Sequence, residues 1–510
     1  MATLRLLTCA VGAFCCLLFP CWSLAAPAAP TAKDLLHNAL LQMGGEDQIR
    51  AVRTVRFTAM GHRNMLEQSE RPEGPYIVEY DEISQSRDLE HGRWKQVTTM
   101  RVAVQPPFKQ TAVVSDGAAS LAFDNQTRPG SNAEMQDAEE DLDLGPEHVL
   151  LTALNATDLR READTVLQSV PNQVVAFTWE GSPVRIFLNA YTSLPTAVEW
   201  KRANPYQMFW STWGDVTTRI YYSLWWLCPH GIHYPLQWDV FRNGLPDRVL
   251  TITEVVLNPQ FPADEFSISN DIRAAFAKQA TRTVDDRKLD VSKAQEPAKD
   301  VVFISGAWNT TLVRQDDGIV VIEAPISSGY SAQVIAEAGR RWPGVPIKAA
   351  ISTSDSWPHI AGVREYVARG IPVYAPDLNI PILLRLVNAP RSSFPDLLAR
   401  SPRQPDFRAV SEKTVIGSGV NRMEIYLIRG ETSERQMMVY FPQHKLLYGS
   451  DPFQKLDPIT YFYPQTVWEL RHAVEREMIK VRTFFMMHVN PTPWSDLDQA
   501  LGQAEQAPAK

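Results

Sequence analysis

The chain has 510 residues, a length that corresponds to about two to four domains. Its formal net charge is −8, and its charged fraction of 21% is ordinary for a globular protein. Its Lys and Arg residues form no basic run, and binding to nucleic acid phosphates depends on such runs or clusters. We therefore expect no nucleic acid partner, and we expect a small-molecule substrate or ligand instead.

Residues 1–25 have the pattern of a secretory signal peptide. Arg5 supplies the positive charge, Leu6–Phe19 is an almost unbroken apolar run, and the small residues around Ala25 suit a signal peptidase. The alternatives are an uncleaved membrane anchor, against which the following Ala/Pro-rich coil argues, and a lipid anchor on Cys21. Cleavage predicts a periplasmic or secreted protein, and no later apolar run is long enough to span a membrane.

Four of the five cysteines lie in this N-terminal segment, so cleavage would leave Cys228 alone. One thiol cannot form an internal disulfide, and we expect the mature protein to be stabilised by its hydrophobic cores. Cys228 is followed closely by His230 and His233. These three side chains could contact a metal, but the pattern is more typical of half-buried residues at the edge of a sheet.

Residues 26–284 are predicted to form an N-terminal antiparallel β domain. One helix comes first, because apolar residues recur at helical spacing from Leu35 to Met43 and two glycines follow. The pattern then changes to short alternating segments separated by turns, of which Val249–Val256 is an example.

Two stretches of this domain have an unusual composition. The acidic stretch Glu134–Asp143 is interpreted as a solvated loop. The aromatic residues between Trp200 and Trp238 are assigned mainly to core packing, with a concave surface for a lipid-like or aromatic ligand as the alternative.

Residues 285–299 are charged and poor in large apolar residues, and we interpret them as a linker. Residues 300–500 alternate strand-like and helical segments, from the buried run Gly318–Ile322 to the helical pattern Val467–Val481. Such alternation is typical of an α/β arrangement. Residues 501–510 are expected to be a polar tail.

Four collinear segments of residues 300–500 resemble the metallo-β-lactamase superfamily. Gly318–Pro325 resembles the family strand that ends in an acidic residue, and Val345–Thr353 resembles the strand that leads into the metal-binding loop. Gln436–Asp451 resembles the strand pair that ends in the bridging aspartate, and Phe484–His488 resembles the strand that ends in the last histidine. The resemblance implies a mixed α+β chain, in which an αββα sandwich follows the antiparallel β domain.

The loop Thr353–Gly362 resembles the family motif T-H-x-H-x-D-H-x-G-G, whose ligands help to hold two metal ions. The first site of the family uses three histidines. The resemblance places Ser354, Ser356 and Thr432 at those positions, with Glu431 as the alternative to Thr432 if the alignment shifts by one. Because hydroxyls are poor zinc ligands, we expect the first site to be lost.

The second site keeps more of its ligands. The resemblance places Pro358 where the family has an aspartate, but it retains His359, His488 and the bridging Asp451. Two histidines and one carboxylate can hold a single zinc or other divalent metal ion with open positions. The same residues could instead be satisfied by hydrogen bonds in a cleft without metal.

Two functions therefore remain open. The first is an exported, divergent, mononuclear metal-dependent hydrolase of ester or amide bonds, in which the metal would lower the pKa of a bound water. The second is a metal-free pseudoenzyme that binds a ligand or a partner through the same cleft.

Overall fold

A computed structural model describes residues 29–68, 71, 73–102, 106–124, 126–451 and 464–506. The predicted signal peptide at 1–25 and the last residues of the predicted tail, 507–510, lie outside these ranges. Within them, no helix is both long enough and apolar enough to cross a bilayer.

The N-terminal part contains one antiparallel sheet of thirteen strands. Its strands are β1 (Thr54–Asn64), β2 (Val78–Asp88), β3 (Arg93–Val102), β4 (Phe108–Ser115), β5 (Ala118–Phe123), β6 (Gln126–Pro129), β7 (Arg160–Leu167), β8 (Val170–Trp179), β9 (Ser182–Asn189), β10 (Pro195–Ala203), β11 (Asp215–Leu227), β12 (His233–Arg242) and β13 (Leu245–Leu257). Strands adjacent in sequence pair along each half of the sheet, and the pairing of β1 with β13 joins the two halves. The predicted antiparallel β domain is confirmed.

Five helices accompany this sheet. They are α1 (Ala32–Gln42), α2 (Glu46–Arg50), α3 (Asn132–Asp143), α4 (Val149–Asn155) and α5 (Asn270–Ala277). The predicted first helix is confirmed as α1, which begins with a capping box between Thr31 and Asp34 and buries Leu36 and Leu40 completely. These leucines pack with alternate residues of β1, such as Phe57, and each stabilises the fold by about 1.5–3 kcal/mol.

The acidic stretch Glu134–Asp143 is helical, so the prediction of a solvated loop was wrong. It belongs to α3, which begins with a capping box at Ser131 and buries Ala138 and Leu142 one turn apart. The carboxylates have partners from distant strands; for example, Arg202 donates to Glu139 at 2.6 Å. These partners are far away in sequence, and the acidic composition conceals the short apolar stripe.

The C-terminal part is a sandwich of two sheets. The seven-stranded sheet contains β14 (Gln295–Ala298), β15 (Val301–Ile304), β16 (Thr310–Gln315), β17 (Gly318–Ile322), β18 (Ile347–Ile351), β19 (Val373–Pro376) and β20 (Phe407–Val410). The six-stranded sheet contains β21 (Thr414–Ile416), β22 (Met423–Leu427), β23 (Met437–Phe441), β24 (Leu446–Tyr448), β25 (Thr483–Met486) and β26 (Val489–Pro493). The helices are α6 (Ser328–Arg341), α7 (Trp357–Ile360), α8 (Val363–Ala368), α9 (Ile380–Val387), α10 (Leu397–Arg400), α11 (Pro464–Arg476) and α12 (Trp494–Gln506).

Three apolar cores give this part its layers. Between the sheets, Val320 packs in one cluster with Val439 and other buried residues of the facing sheet. A second core joins the seven-stranded sheet to α6 and α8, and a third joins the six-stranded sheet to α11 and α12. The order of layers is therefore helix, sheet, sheet, helix, and the predicted αββα sandwich is confirmed.

The segments predicted as linker and tail contain regular structure. Within 285–299, strand β14 pairs with β15, and the backbone N–H of Leu289 donates to Gln333 at 3.1 Å. Helix α12 extends into 501–510, where Leu501 is buried. Both segments were expected to be irregular because they are polar, yet edge pairing uses backbone groups and docking needs only a few apolar side chains. The domain limits at 26–284 and 300–500 stay predictions.

Candidate metal centre

Three segments that follow strands of the two facing sheets bring His359, Asp451 and His488 together. His359 lies in α7, which follows β18 of the seven-stranded sheet, whereas Asp451 follows β24 and His488 follows β25 of the six-stranded sheet. Strands β24 and β25 are parallel and adjacent, so their carboxyl ends meet at one edge of the sandwich. Residues far apart in sequence thus converge at the end of the inter-sheet core.

The distances within this group suit metal ligands. His359 Nε2 lies 3.1 Å from Asp451 Oδ2, and His488 Nε2 lies 3.5 Å from Asp451 Oδ1. One donor atom from each residue lies within 4.8 Å of the others, and the two imidazole centroids are 5.9 Å apart. Tetrahedral zinc with bonds of about 2.0–2.1 Å places its ligand atoms about 3.3 Å apart, so the carboxylate distances fit.

The donor atoms are also available. His359 Nδ1, Asp451 Oδ1 and His488 Nε2 are buried and have no hydrogen-bond partner among the described residues. A hydrogen bond with the backbone of Ala307 fixes the His488 ring. Because buried polar atoms without partners are costly, the two that face each other, Asp451 Oδ1 and His488 Nε2, fit a site for a cation beside the His359 ring.

The protonation of the three groups is coupled. Burial opposes the charge on His359, but Asp451 outweighs it and raises the pKa of His359 above its usual value. Burial likewise opposes ionisation of Asp451, but the two imidazoles hold the pKa of Asp451 below its usual range. Burial lowers the pKa of His488, which therefore presents a neutral imidazole near pH 7. A metal ion would have to displace the proton that His359 shares with Asp451.

The positions that correspond to the first metal site of the family have structural contacts instead. The Ser356 hydroxyl donates to the carbonyl of Glu67 at 2.9 Å, and Ser354 Oγ accepts from the backbone N–H of Ser356 at 3.2 Å. Thr432 donates to Glu469 of α11 at 2.9 Å from its hydroxyl. Glu431, the alternative ligand, is exposed on the surface. The structure therefore does not bring these positions into a ligand set.

Pro358 also has a structural role in place of a ligand. It occupies the first turn of α7, where proline is favoured, and its carbonyl accepts from the backbone N–H of Ile326 at 2.7 Å. The position of the missing aspartate thus fixes the start of the helix that carries His359.

A buried glutamate holds the loop that leads to His359. Glu323 ends β17 with a φ of 75°, a conformation that costs a non-glycine residue about 1–3 kcal/mol. Its carboxyl accepts from the hydroxyl of Thr353 and, at 3.3 Å, from the backbone N–H of Thr353. Ser450 then donates to the carbonyl of Thr353 at 3.1 Å, which links this loop to the loop that carries Asp451. Burial raises the pKa of Glu323.

The N-terminal part contributes to the centre, which the sequence interpretation missed. Trp357 in α7 is 1% exposed, and its ring packs edge to face against Trp210 and Trp213 at centroid distances of 4.9 and 5.1 Å. The aromatic density between Trp200 and Trp238 was the available signal. It was assigned mainly to core packing, with a concave ligand surface as the alternative, whereas these two rings lie between the two parts of the chain.

The group at Cys228 does not form a second centre. The Cys228 thiol is buried, which raises its pKa, and a ring nitrogen of His233 lies 2.9 Å from the carbonyl of Gln42. These residues join the end of α1 to the sheet. Among the described residues, the one cluster of possible metal ligands is that of His359, Asp451 and His488.

No protein-family model and no curated protein matches the sequence. Among solved structures, a metallo-β-lactamase from Pontibacter korlensis is 16% identical, and the match covers 42% of this chain and 99% of that one with a TM-score of 0.33. The DIM-1 metallo-β-lactamase is 15% identical, with 42% of this chain and 96% of its own covered and a TM-score of 0.31. The sec-alkylsulfatase Pisa1 from Pseudomonas sp. is 15% identical, with 41% and 40% covered and a TM-score of 0.32.

The layers described above are those that the sequence resemblance implies, with the aligned loops at one end of two facing sheets. The C-terminal part of the chain thus has the helix, sheet, sheet, helix layering that the resemblance implies. A fold alone does not define an activity, so the function has to be argued from the site.

Proposed function

We propose that the protein binds one divalent metal ion through His359, Asp451 and His488 and acts as a metal-dependent hydrolase of ester or amide bonds. The convergence of His359, Asp451 and His488, with Asp451 Oδ1 and His488 Nε2 lacking hydrogen-bond partners among the described residues, carries this proposal. When bound, the metal would supply Lewis acidity and an activated water at neutral pH. Zinc is the first candidate, because two imidazoles and a carboxylate are among its preferred ligands.

The surrounding residues support the ligands. Glu323 fixes the loop that leads to His359, and the hydrogen bond from Ser450 to the Thr353 carbonyl holds the loop before Asp451. Trp357 keeps α7 in place and excludes water from its other face. The Ser356 hydroxyl donates to the backbone of Glu67, so it is not placed to act as a nucleophile.

The test is a measurement of metal stoichiometry followed by an activity assay. Protein treated with EDTA and dialysed should bind close to one equivalent of zinc, manganese or ferrous ion in titration calorimetry. Hydrolysis of p-nitrophenyl esters or p-nitroanilides should then appear with the metal and disappear with EDTA. A wild-type protein that binds none of the three ions would contradict the proposal.

A metal-free binding protein is the second candidate, and one observation favours it. His359 and Asp451 already satisfy part of each other's charge at 3.1 Å, as an ion pair that replaced a metal would. In that case zinc would leave the thermal stability unchanged. The same titration therefore separates the two functions.

We also propose that the chain is exported to the periplasm or secreted. The charged start, the apolar run and the small residues near Ala25 support cleavage at that point. Intact-mass analysis of the exported protein should show that residues 1–25, or one residue more or less, are missing. An exported protein that retains them would contradict this proposal.

A further inference from the structure

The curved N-terminal sheet encloses a cavity of about 670 Å³, separate from the metal centre. It lies between the inner face of the sheet and α3, and its volume falls in the range of about 300–1,000 Å³ that is usual for sites of small organic ligands. Phe108, which is 39% exposed, is part of the lining at its rim.

Aromatic rings make up much of the wall. The lining includes Phe57, Trp94, Trp200, Trp210, Tyr222 and Trp238. Their faces carry negative electrostatic potential, which attracts a cation within about 6 Å of a ring centroid. The wall already uses this property, because the guanidinium of Arg87 lies over Phe57 at 5.4 Å and over Trp238 at 5.5 Å, and that of Arg242 lies over Trp210 at 5.3 Å.

The helix adds a row of carboxylates on the cavity side. Asp137 follows Glu134 by three residues and precedes Glu140 and Asp141 by three and four, so they share one face of α3, and all four line the cavity. Like charges at this spacing repel one another, so the row needs counter-cations. Asp137 has a neutral partner, the side-chain amide of Gln207 at 2.8 Å, and no ion pair among the described residues.

The five arginines of the wall meet this need only in part. Three are held by carboxylates, Arg63 by Glu79, Arg87 by Glu147 and Arg248 by Asp81, at 3.1, 2.7 and 3.3 Å, and Arg87 also lies 3.3 Å from Asp141 of α3. The fourth, Arg242, is 3.6 Å from Asp247 and also faces Asp137 and Glu140, and the fifth, Arg128, lies over the ring of Phe123 at 4.9 Å. Burial raises the pKa of Asp137 to about 7 even with Arg242 nearby, so its negative charge lacks compensation.

A further polar group of the wall has no partner. Tyr222 is 4% exposed, lines the cavity, and its hydroxyl makes no hydrogen bond with the described residues. A buried hydroxyl without a partner costs about 1–3 kcal/mol, which a ligand with a polar group would recover. This position is deep in the sheet, beside Arg87 and Trp238.

We propose that this cavity binds an amphipathic organic ammonium ion, with its nitrogen beside Asp137 and its apolar body against the aromatic wall. An anion is disfavoured because it would face the carboxylates of α3 while four of the five arginines of the wall already lie beside carboxylates. This site is independent of the metal centre and of the proposed hydrolase activity.

The test compares three probes of one shape: 4-phenylbutylammonium, 4-phenylbutanol and 4-phenylbutyrate. Calorimetric titration of the full-length mature protein at pH 8 should give the tightest binding for the ammonium, weaker binding for the alcohol and the weakest for the carboxylate. The carboxylate binding tightest, or no probe binding, would overturn the proposal.

Two variants locate the ligand. Asp137→Asn keeps an acceptor for Gln207, and it should weaken ammonium binding about tenfold because a charge-assisted bond is lost, with alcohol binding unchanged. Ile220→Trp should fill the cavity and abolish binding of the ammonium and the alcohol, while zinc stoichiometry stays as in the wild type. If Asp137→Asn does not fold, Glu140→Gln replaces it with the same expectation. Ammonium binding that is unaltered in the folded variant would overturn the assignment.

Discussion

The residues aligned with the two metal sites of the family differ in their surroundings. At the positions of the second site, His359, Asp451 and His488 converge and leave donor atoms without partners. At the positions of the first site, Ser356 and Thr432 are tied into hydrogen bonds with Glu67 and Glu469.

Because an unpartnered buried polar atom is destabilising, a site without a function should lose such atoms. The first half has no such atoms on Ser356 and Thr432, since their hydroxyls make hydrogen bonds that serve loop structure. The second half keeps buried polar atoms without partners although they are destabilising, which is easiest to explain if a ligand binds there.

The largest effect that separates the halves concerns metal affinity. His488→Ala should reduce zinc affinity by about 100-fold or more, because deleting a ligand costs at least as much as the 10–100-fold that a supporting residue costs. His472→Ala, on the exposed face of α11, is the matched control and should bind zinc as the wild type does. Zinc binding that survives His488→Ala would remove the distinction between the halves.

The next largest effect concerns Trp357, which anchors α7, the helix that carries His359, to the β domain. Trp357→Ala should lower the free energy of unfolding by about 3–5 kcal/mol, because it leaves a cavity between Trp210 and Trp213. Trp226→Ala is the control, since that ring is 59% exposed and should cost less than about 0.5 kcal/mol. Urea denaturation of both variants measures the difference, and equal midpoints would mean that the tryptophan cluster is dispensable.

A smaller, pH-dependent effect should come from Asp355, which lies between the two serines. Burial raises the pKa of Asp355 to about 7, and the side chain is 4% exposed. The folded state therefore keeps a proton that the unfolded chain loses above about pH 4, so this carboxyl destabilises the fold increasingly between about pH 4 and 7. Asp355→Asn should increase the free energy of unfolding by up to about 4 kcal/mol at pH 8 and by much less at pH 4.

Denaturation of metal-free protein at several pH values checks this expectation. Asp264→Asn, at an exposed position, serves as the control and should leave the pH profile of stability unchanged. A gain for Asp355→Asn that does not grow with pH would show that the carboxyl is stabilised by a partner in the folded state.

The smallest effect should come from Ser356, whose hydroxyl donates to the carbonyl of Glu67. Ser356→Ala should lower the free energy of unfolding by about 1 kcal/mol, the usual value of one hydrogen bond, and should leave zinc stoichiometry unchanged. If the variant instead bound less zinc than the wild type, the first half of the centre would still contribute to metal binding, and the two halves would not differ in function.

The fold of the C-terminal part could be predicted because its strands and loops carry local signals in order. The run Gly318–Ile322 is a buried strand, and Val345–Thr353 leads into the ligand loop as the resemblance implied. His359, Asp451 and His488 could be singled out because the family resemblance places them at ligand positions. Their approach to one another had to come from the structure, since it depends on the stacking of two sheets.

Other features depend on contacts that a single sequence does not reveal. The helix at Asn132–Asp143 was missed because its acidic side chains have partners on distant strands. The packing of Trp210 and Trp213 on Trp357 joins segments about 150 residues apart, so no local pattern could indicate it. The aromatic stretch Trp200–Trp238 indicated the cavity only as an alternative, because its wall is assembled from most strands of the sheet.

The packing of Trp357 against Trp210 and Trp213 has a consequence for the evolution of this chain. A sandwich that could be exchanged freely between proteins would have a polar outer face beside its ligand helix. Here the apolar ring of Trp357 lies on that face, and Trp210 and Trp213 cover it. Genetic exchange that separated the two parts would expose a large apolar ring and leave the Ser356 hydroxyl without its acceptor at Glu67. Selection would therefore act on the β domain and the sandwich as one unit.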